Sequence, residues 1–143
     1  DVPVVILRYF NVFGKRQREN SPYSAVIPKF IQALRETKKP LIYGNGNQTR
    51  DFTYVENVVN AVLLACEKDE ANGETFNIAC GKRTSINELL NCLSKIMQVE
   101  TKPAYAEERP GDVKHSEADI SKASRILGYK PEIGLEEGLE KTL

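Results

Sequence analysis

Leu41-Ile42-Tyr43-Gly44-Asn45-Gly46-Asn47-Gln48-Thr49-Arg50-Asp51-Phe52-Thr53-Tyr54 is the stretch on which the reading of the chain turns. Leu41 to Tyr43 has the composition of a short strand. Gly44 to Asn47 reverses direction, because Gly and Asn accept positive φ at little steric cost. Phe52 and Tyr54 alternate with polar neighbours as in a second strand, and a helix is expected from Val55. Arg50 lies between the turn and that helix. It reads either as the ion-pair partner of Asp51 or another carboxylate in an ordinary hairpin, or as an anion clamp with backbone amides beside it. On this stretch alone the hairpin is favoured.

Working outward, Val4 to Phe10 is an apolar run of strand length, the pattern of a strand buried on both faces of a parallel sheet. Asn11 to Ser24 is loop. Ala25 to Thr37 reads as a helix with Pro28 in its first turn and one apolar face of Ile27, Phe30, Ile31 and Leu34. Val55 to Lys68 is the strongest helix, with Val55, Val58, Val59, Val62, Leu63 and Cys66 at helical spacing. Thr75 to Ala79 is a short strand. Ser85 with Glu88 three residues on forms a capping box for a helix carrying Ile86, Leu89, Leu90, Leu93 and Met97. Lys102 to Ala106 reads as a strand, Asp119 to Leu127 as a helix stopped by Gly128, and Leu135 to Leu143 as a last helix. Strands alternating with helices give an open α/β fold with at least one parallel strand pair.

The 143 residues suffice for one domain with a sizeable core. Twenty basic side chains balance 20 acidic ones, so no global charge draws the chain to nucleic acid or to a membrane surface. Cys66, Cys80 and Cys92 are odd in number and lack metal-ligand spacing; buried free thiols in a reducing, cytoplasmic compartment are expected. No apolar run approaches spanning length. The first residues run straight into a strand without an initiator Met, and the last helix stops uncapped, so a piece of a longer protein is expected.

The residues offer little self-contained catalysis. The single histidine, His115, has no ligand cluster around it. Ser116 beside it does not make a triad. Gly44-Asn45-Gly46 is half of a dinucleotide fingerprint. What remains is a set of polar groups in loops: Asn11 at the carboxyl end of the first strand, Arg50 after the glycine turn, Arg83 before the capped helix, and Arg109 beside Asp112. In open α/β folds ligands bind at the carboxyl ends of strands. Converging guanidinium forks would suit a diphosphate, and Asp112 could accept from vicinal ribose hydroxyls. The alternative is a scatter of surface ion pairs.

Arg8-Tyr9-Phe10-Asn11-Val12-Phe13-Gly14 with Arg16-Gln17, then Ser21 to Pro28, Tyr43 to Val55, Phe76 to Ala79 and Arg109-Pro110-Gly111-Asp112 occur in an order that resembles extended short-chain dehydrogenase/reductases acting on nucleotide sugars. The nearest resemblance is to NAD-dependent UDP-glucose or UDP-N-acetylglucosamine 4-epimerases. It covers essentially the whole chain; Lys15 departs from the usual Pro. It implies a carboxyl-terminal half (residues 1–143): the substrate-binding part of an extended member with the last strands and helix of a Rossmann-type parallel sheet. By motif, Asn11, Arg50 and Arg109 would contact the diphosphate and Asp112 the ribose. Ala25 and Val26 would line the nucleoside site, with Tyr43 and Asn45 near base and ribose. Arg83 is a further candidate, and Tyr9 would lie near the nicotinamide of NAD.

No Tyr is followed by Lys four residues on, so the family's catalytic Tyr-x-x-x-Lys falls outside this chain. The resemblance then implies a UDP-sugar partner, a homodimer formed by elements elsewhere, and no turnover by this chain alone. An apolar first strand without its neighbours is expected to promote self-association. A dTDP-glucose 4,6-dehydratase or other nucleotide-sugar-modifying short-chain dehydrogenase/reductase, or a non-catalytic nucleotide-sugar-binding module, are the alternatives.

Overall fold

The computed structural model describes residues 2–17 and 26–143. Its strands are β1 (Ile6–Tyr9), β2 (Val12–Phe13), β3 (Leu41–Tyr43), β4 (Thr49–Arg50), β5 (Thr53–Tyr54), β6 (Thr75–Ile78), β7 (Thr84–Ser85) and β8 (Ala104–Ala106). Its helices are α1 (Val26–Arg35), α2 (Val55–Glu67), α3 (Ile86–Met97), α4 (Ser121–Leu127) and α5 (Leu135–Thr142). Ser21 to Ala25, part of one of the quoted motifs, lie outside the described residues.

The strands pair with segments distant in sequence. β1 runs parallel to β6, β2 to β5 and β3 to β8, whereas β4 is antiparallel to β7. The stretch 41–54 is therefore not a hairpin: its three strands belong to three different pairs. The Gly-rich turn still reverses the chain, with Gly44 and Gly46 at φ of 72° and 77°, and Gln48 Nε2 donates to the Tyr43 carbonyl across it at 2.7 Å.

Two apolar cores result. The first gathers the α1 face, Phe13, Ile42, Phe52, Tyr54, the α3 face and Leu139. The second packs α2 and α4 against β6 through Val58, Ala61, Phe76, Ile78, Leu127 and Tyr129. The α1 face and the Ser85–Glu88 capping box are as their sequence predicts. Helix α4 begins later than expected: Asp119 accepts from the Ser121 amide at 2.8 Å, ahead of the first helical residue, and Gly128 ends the helix in the left-handed region.

Two further expectations fail. Helix α2 turns Asn57, Val58, Ala61 and Ala65 inward and leaves Val59, Val62, Leu63 and Cys66 outside. Apolar residues occupy most of its circumference, and the small residues Ala61 and Ala65 are the ones enclosed by the second core. Strand β1 is not buried on both faces. Val5 and Leu7 pack inward while Val4, Ile6 and Tyr9 are exposed, and among the described residues β6 is the one strand paired with it.

Gly138 marks the tightest contact between α5 and the first core. A Cβ there would lie 2.9 Å from Phe13 Cζ and 3.0 Å from Tyr54 Cβ. Gly to Ala inside a helix ordinarily stabilises by up to about 1 kcal/mol. Gly138→Ala is expected to reverse that sign and cost about 1–2 kcal/mol through overpacking. Thermal melting checks it: a midpoint at or above that of the parent chain would show that both rings yield freely.

Candidate functional site

Where β1 passes into β2, Asn11 takes a left-handed conformation, φ 37°, which Asn tolerates better than most residues. Its Nδ2 donates to the Asp51 carbonyl at 3.2 Å, and its own carbonyl accepts from the Thr53 amide. The chain is thereby folded back against the segment that follows the Gly-rich turn. In the cleft so formed, of about 290 Å³, Asn11 meets Val26 from the start of α1, Tyr43 from the end of β3, Arg50 from β4, and Arg109 and Asp112 from the loop after β8. Phe52, Ile42 and Ile86 form its apolar floor.

The loop after β8 owes its shape to Pro110 and Gly111. The Asp112 amide donates to the Arg109 carbonyl at 3.1 Å, and Gly111 sits at φ 79°. Pro second and Gly third is the composition of a type II turn. Both ends of the turn engage the cleft wall. Arg109 stacks on Tyr43 with its guanidinium carbon 3.8 Å from the ring centroid, and that cation holds the Tyr43 phenol below its ordinary pKa. Asp112 pairs with Arg50, Oδ1 to Nη2, at 2.5 Å. Arg50 also donates through Nη1 to the Thr49 carbonyl at 2.9 Å, and its side chain is only 16% exposed.

Backbone amides at the start of α3 do not add to this clamp. Ile86 and Asn87 donate to the carbonyls of Gln48 and Gly46, and Glu88 to the Ser85 hydroxyl. The Gly-rich turn thus satisfies the helix terminus, and among the described residues positive charge in the cleft comes from Arg50 and Arg109.

Six of the residues expected from sequence, Asn11, Val26, Tyr43, Arg50, Arg109 and Asp112, line this one cleft. Asn45 does not. Its Oδ1 accepts from the Asn47 amide, and it lines an adjoining hollow of about 160 Å³ with Tyr43, Arg109 and Asp112. Arg83 is placed elsewhere: its Nε pairs with Glu117 at 3.0 Å, beside a different depression that also contains Glu88 and Glu140. Tyr9 is half-exposed at the end of β1 and does not line the cleft. Ala25 lies outside the described residues. His115 bonds to Thr49 Oγ1 through Nδ1 at 3.0 Å. Among the described residues no group of three possible ligands could hold a metal ion.

Asp51 escapes the sequence reading. It is fully buried, and it pairs not with Arg50 but with backbone: its carboxylate accepts from the amides of Cys80, Gly81 and Ala118 at 3.0, 2.9 and 3.3 Å. Burial pushes its carboxyl above the ordinary range, against the pull of those amides. Burial and the Asp51 charge push the neighbouring Cys80 thiol up to about 11, away from the thiolate form. The alternation of Phe52 and Tyr54 with polar neighbours points Asp51 outward, whereas all four residues from Asp51 to Tyr54 are buried, so no local pattern marks it.

Comparison with known proteins matches residues 1–142 to the GDP-mannose 4,6 dehydratase family. A putative UDP-glucose 4-epimerase of Methanocaldococcus jannaschii is 39% identical over 99% of this chain and 45% of its own length. Among solved structures, the UDP-N-acetylglucosamine 4-epimerase of Methanobrevibacter ruminantium M1, in complex with UDP-N-acetylmuramic acid, superposes with a TM-score of 0.92 at 47% identity. That match covers 99% of this chain and 45% of that one. The UDP-glucuronic acid 4-epimerase of Bacillus cereus, in complex with UDP-glucuronic acid and NAD, gives 0.89 at 38%, covering 98% and 44%. The chain spans a little under half the length of these relatives.

Proposed function

Since the chain belongs to the GDP-mannose 4,6 dehydratase family, we propose that it is the nucleotide-sugar-binding part of an NAD-dependent UDP-sugar 4-epimerase. The observation that carries this reading is the meeting of Asn11, Val26, Tyr43, Arg50, Arg109 and Asp112 around one cleft. Arg50 and Arg109 would hold the diphosphate with Asn11 beside them. Asp112 would take the ribose hydroxyls. Tyr43, with Ala25, Val26 and Asn45, would bound the nucleoside. Arg83, paired with Glu117 away from the cleft, is given no role.

The chemistry of the sugar would be completed by a partner half outside residues 1–143, carrying most of the NAD site and the Tyr-x-x-x-Lys pair. Only Tyr9 of this chain would approach the nicotinamide, and its half-exposed position at the end of β1 fits that placement. A bound NAD supplies reversible oxidation at C4 of the sugar. The role of this chain is to fix the nucleotide while the sugar presents first one face and then the other. The outer edge of β1 and the Val59, Val62 and Leu63 stripe of α2 are the apolar surfaces that such a half would cover. The intact protein is proposed to be a cytoplasmic homodimer. Among the described residues no helix is long and apolar enough to cross a membrane.

A second reading, 4,6-dehydratase, draws on the family's own description. The two reactions share the diphosphate clamp, and the choice between them would lie in residues of the partner half.

Calorimetric titration of UDP and UDP-N-acetylglucosamine into the chain tests the proposal. Saturable binding that weakens with salt is expected, together with no turnover of UDP-galactose in the presence of NAD. A folded chain that binds neither would remove the claim that the clamp is complete within these residues.

A further inference from the structure

Among the described residues, both cations that line the cleft are already engaged by the protein itself. Arg109 lies on the Tyr43 ring. Arg50 holds the Asp112 carboxylate in a charge-assisted hydrogen bond, and among the described residues Asp112 takes no other side-chain donor. A carboxylate oxygen on a guanidinium fork presents the same acceptor geometry as a phosphate oxygen. Resting on the reading above, we propose that Asp112 is an internal competitor for the anion at Arg50, so that a diphosphate enters by exchange for this carboxylate.

Three features support exchange over simple addition. Asp112 sits at the end of a turn whose backbone is fixed by Pro110 and Gly111, so the carboxylate is presented to Arg50 at high effective concentration. Arg50 is mostly buried and tethered to the Thr49 carbonyl, so it cannot swing away to meet an anion elsewhere. Asp112 is the more exposed partner, at 42%, and is the one free to leave. When it leaves Arg50 it becomes an unpaired acceptor at the mouth of the cleft, available to hydroxyl donors. A nucleoside diphosphate offers both an anion for Arg50 and a pair of hydroxyls for the displaced carboxylate. Inorganic pyrophosphate offers only the first. The device would thus discriminate against free phosphates and favour ligands that carry a ribose.

The test compares inorganic pyrophosphate and UDP by calorimetry on the 143-residue chain and four variants, each first shown to melt cooperatively. Asp112→Asn is expected to bind pyrophosphate about fivefold more tightly than the parent, the scale of a partly exposed ion pair. Glu108→Gln removes the same charge from the same loop without touching Arg50, and is expected to change pyrophosphate binding by less than about twofold. The gain should vanish in the double variant Arg50→Ala with Asp112→Asn. UDP should show no such gain in Asp112→Asn. Equal pyrophosphate affinity in Asp112→Asn and Glu108→Gln would overturn the exchange while leaving Arg50 as a phosphate ligand. Pyrophosphate and UDP binding unaffected by Arg50→Ala alone would overturn the reading of the clamp itself. Absence of pyrophosphate binding in the parent and in Asp112→Asn alike, at millimolar ligand, would overturn the exchange and leave the UDP arm to judge the clamp.

Discussion

Arg50→Ala is expected to weaken UDP binding about a hundredfold, making it the largest single loss available in the cleft. The side chain is mostly buried and points from β4 into the space shared by Asn11, Tyr43 and Arg109. A charge-assisted hydrogen bond contributes about 1.5–3 kcal/mol, and a guanidinium offers two parallel donors to a phosphate. Losing both also leaves Asp112 facing the ligand's negative charge without its counter-ion. Two such terms give roughly 3 kcal/mol, or about two orders of magnitude in affinity. Arg50→Lys restores the charge but not the fork, so an intermediate loss is expected. Calorimetry at low salt measures all three proteins. A change of less than threefold in Arg50→Ala would mean that the diphosphate sits elsewhere. The fold itself should tolerate the change, since the partner that Arg50 leaves is on the surface.

Asp51→Ala, one residue on, is expected to act on stability alone and to be the most damaging substitution for the fold. Three backbone amides, those of Cys80 and Gly81 in the loop after β6 and that of Ala118, converge on this buried carboxylate. Stranding buried donors costs about 1–3 kcal/mol each. Even with water admitted to the gap, a loss of about 3–5 kcal/mol is expected, which lowers the melting midpoint by roughly 10 °C or more in a chain of this size. The acid limb carries a sign as well. Burial raises the folded-state pKa of Asp51 above its unfolded value, so the folded form binds the proton more tightly. This group's contribution to stability is greatest below the unfolded pKa, near pH 4, and declines as pH rises through the raised value. The gap between parent and Asp51→Ala should therefore widen as pH falls from 7 towards 4 in denaturant titrations. A variant within about 1 kcal/mol of the parent would show that water replaces the carboxylate without cost.

Much of this architecture is legible from local rules because local physics decides it. The Ser85–Glu88 box, the α1 face and the left-handed stop at Gly128 each depend on residues within one or two turns. The stretch 41–54 shows where that ends. Its turn is local, but β3, β4 and β5 take their partners from β8, β7 and β2, and nothing inside the stretch names them. Helix α2 fails for a related reason: periodicity selects the face with the largest side chains, whereas packing in the second core selected Ala61 and Ala65. In the cleft, residue types suited to a diphosphate singled out Arg50 and Arg109, one suited to ribose hydroxyls singled out Asp112, and the fold places all three around one cavity. The same reasoning admitted Arg83, which a nearer carboxylate had already engaged. It passed over Asp51, because an acidic residue beside an arginine reads as its partner.

The Pro110–Gly111 turn has one more effect. Proline narrows the unfolded chain's options at its own φ, and the closing hydrogen bond from Asp112 to Arg109 fixes the rest. The conformational entropy of the loop is therefore surrendered during folding, long before any ligand arrives. In this loop association then has to order only side-chain torsions, each about 0.5–1.5 kcal/mol, and not its main chain. A glycine in place of Pro110 would keep every contact described above and still weaken the site, by returning that disorder to the free state.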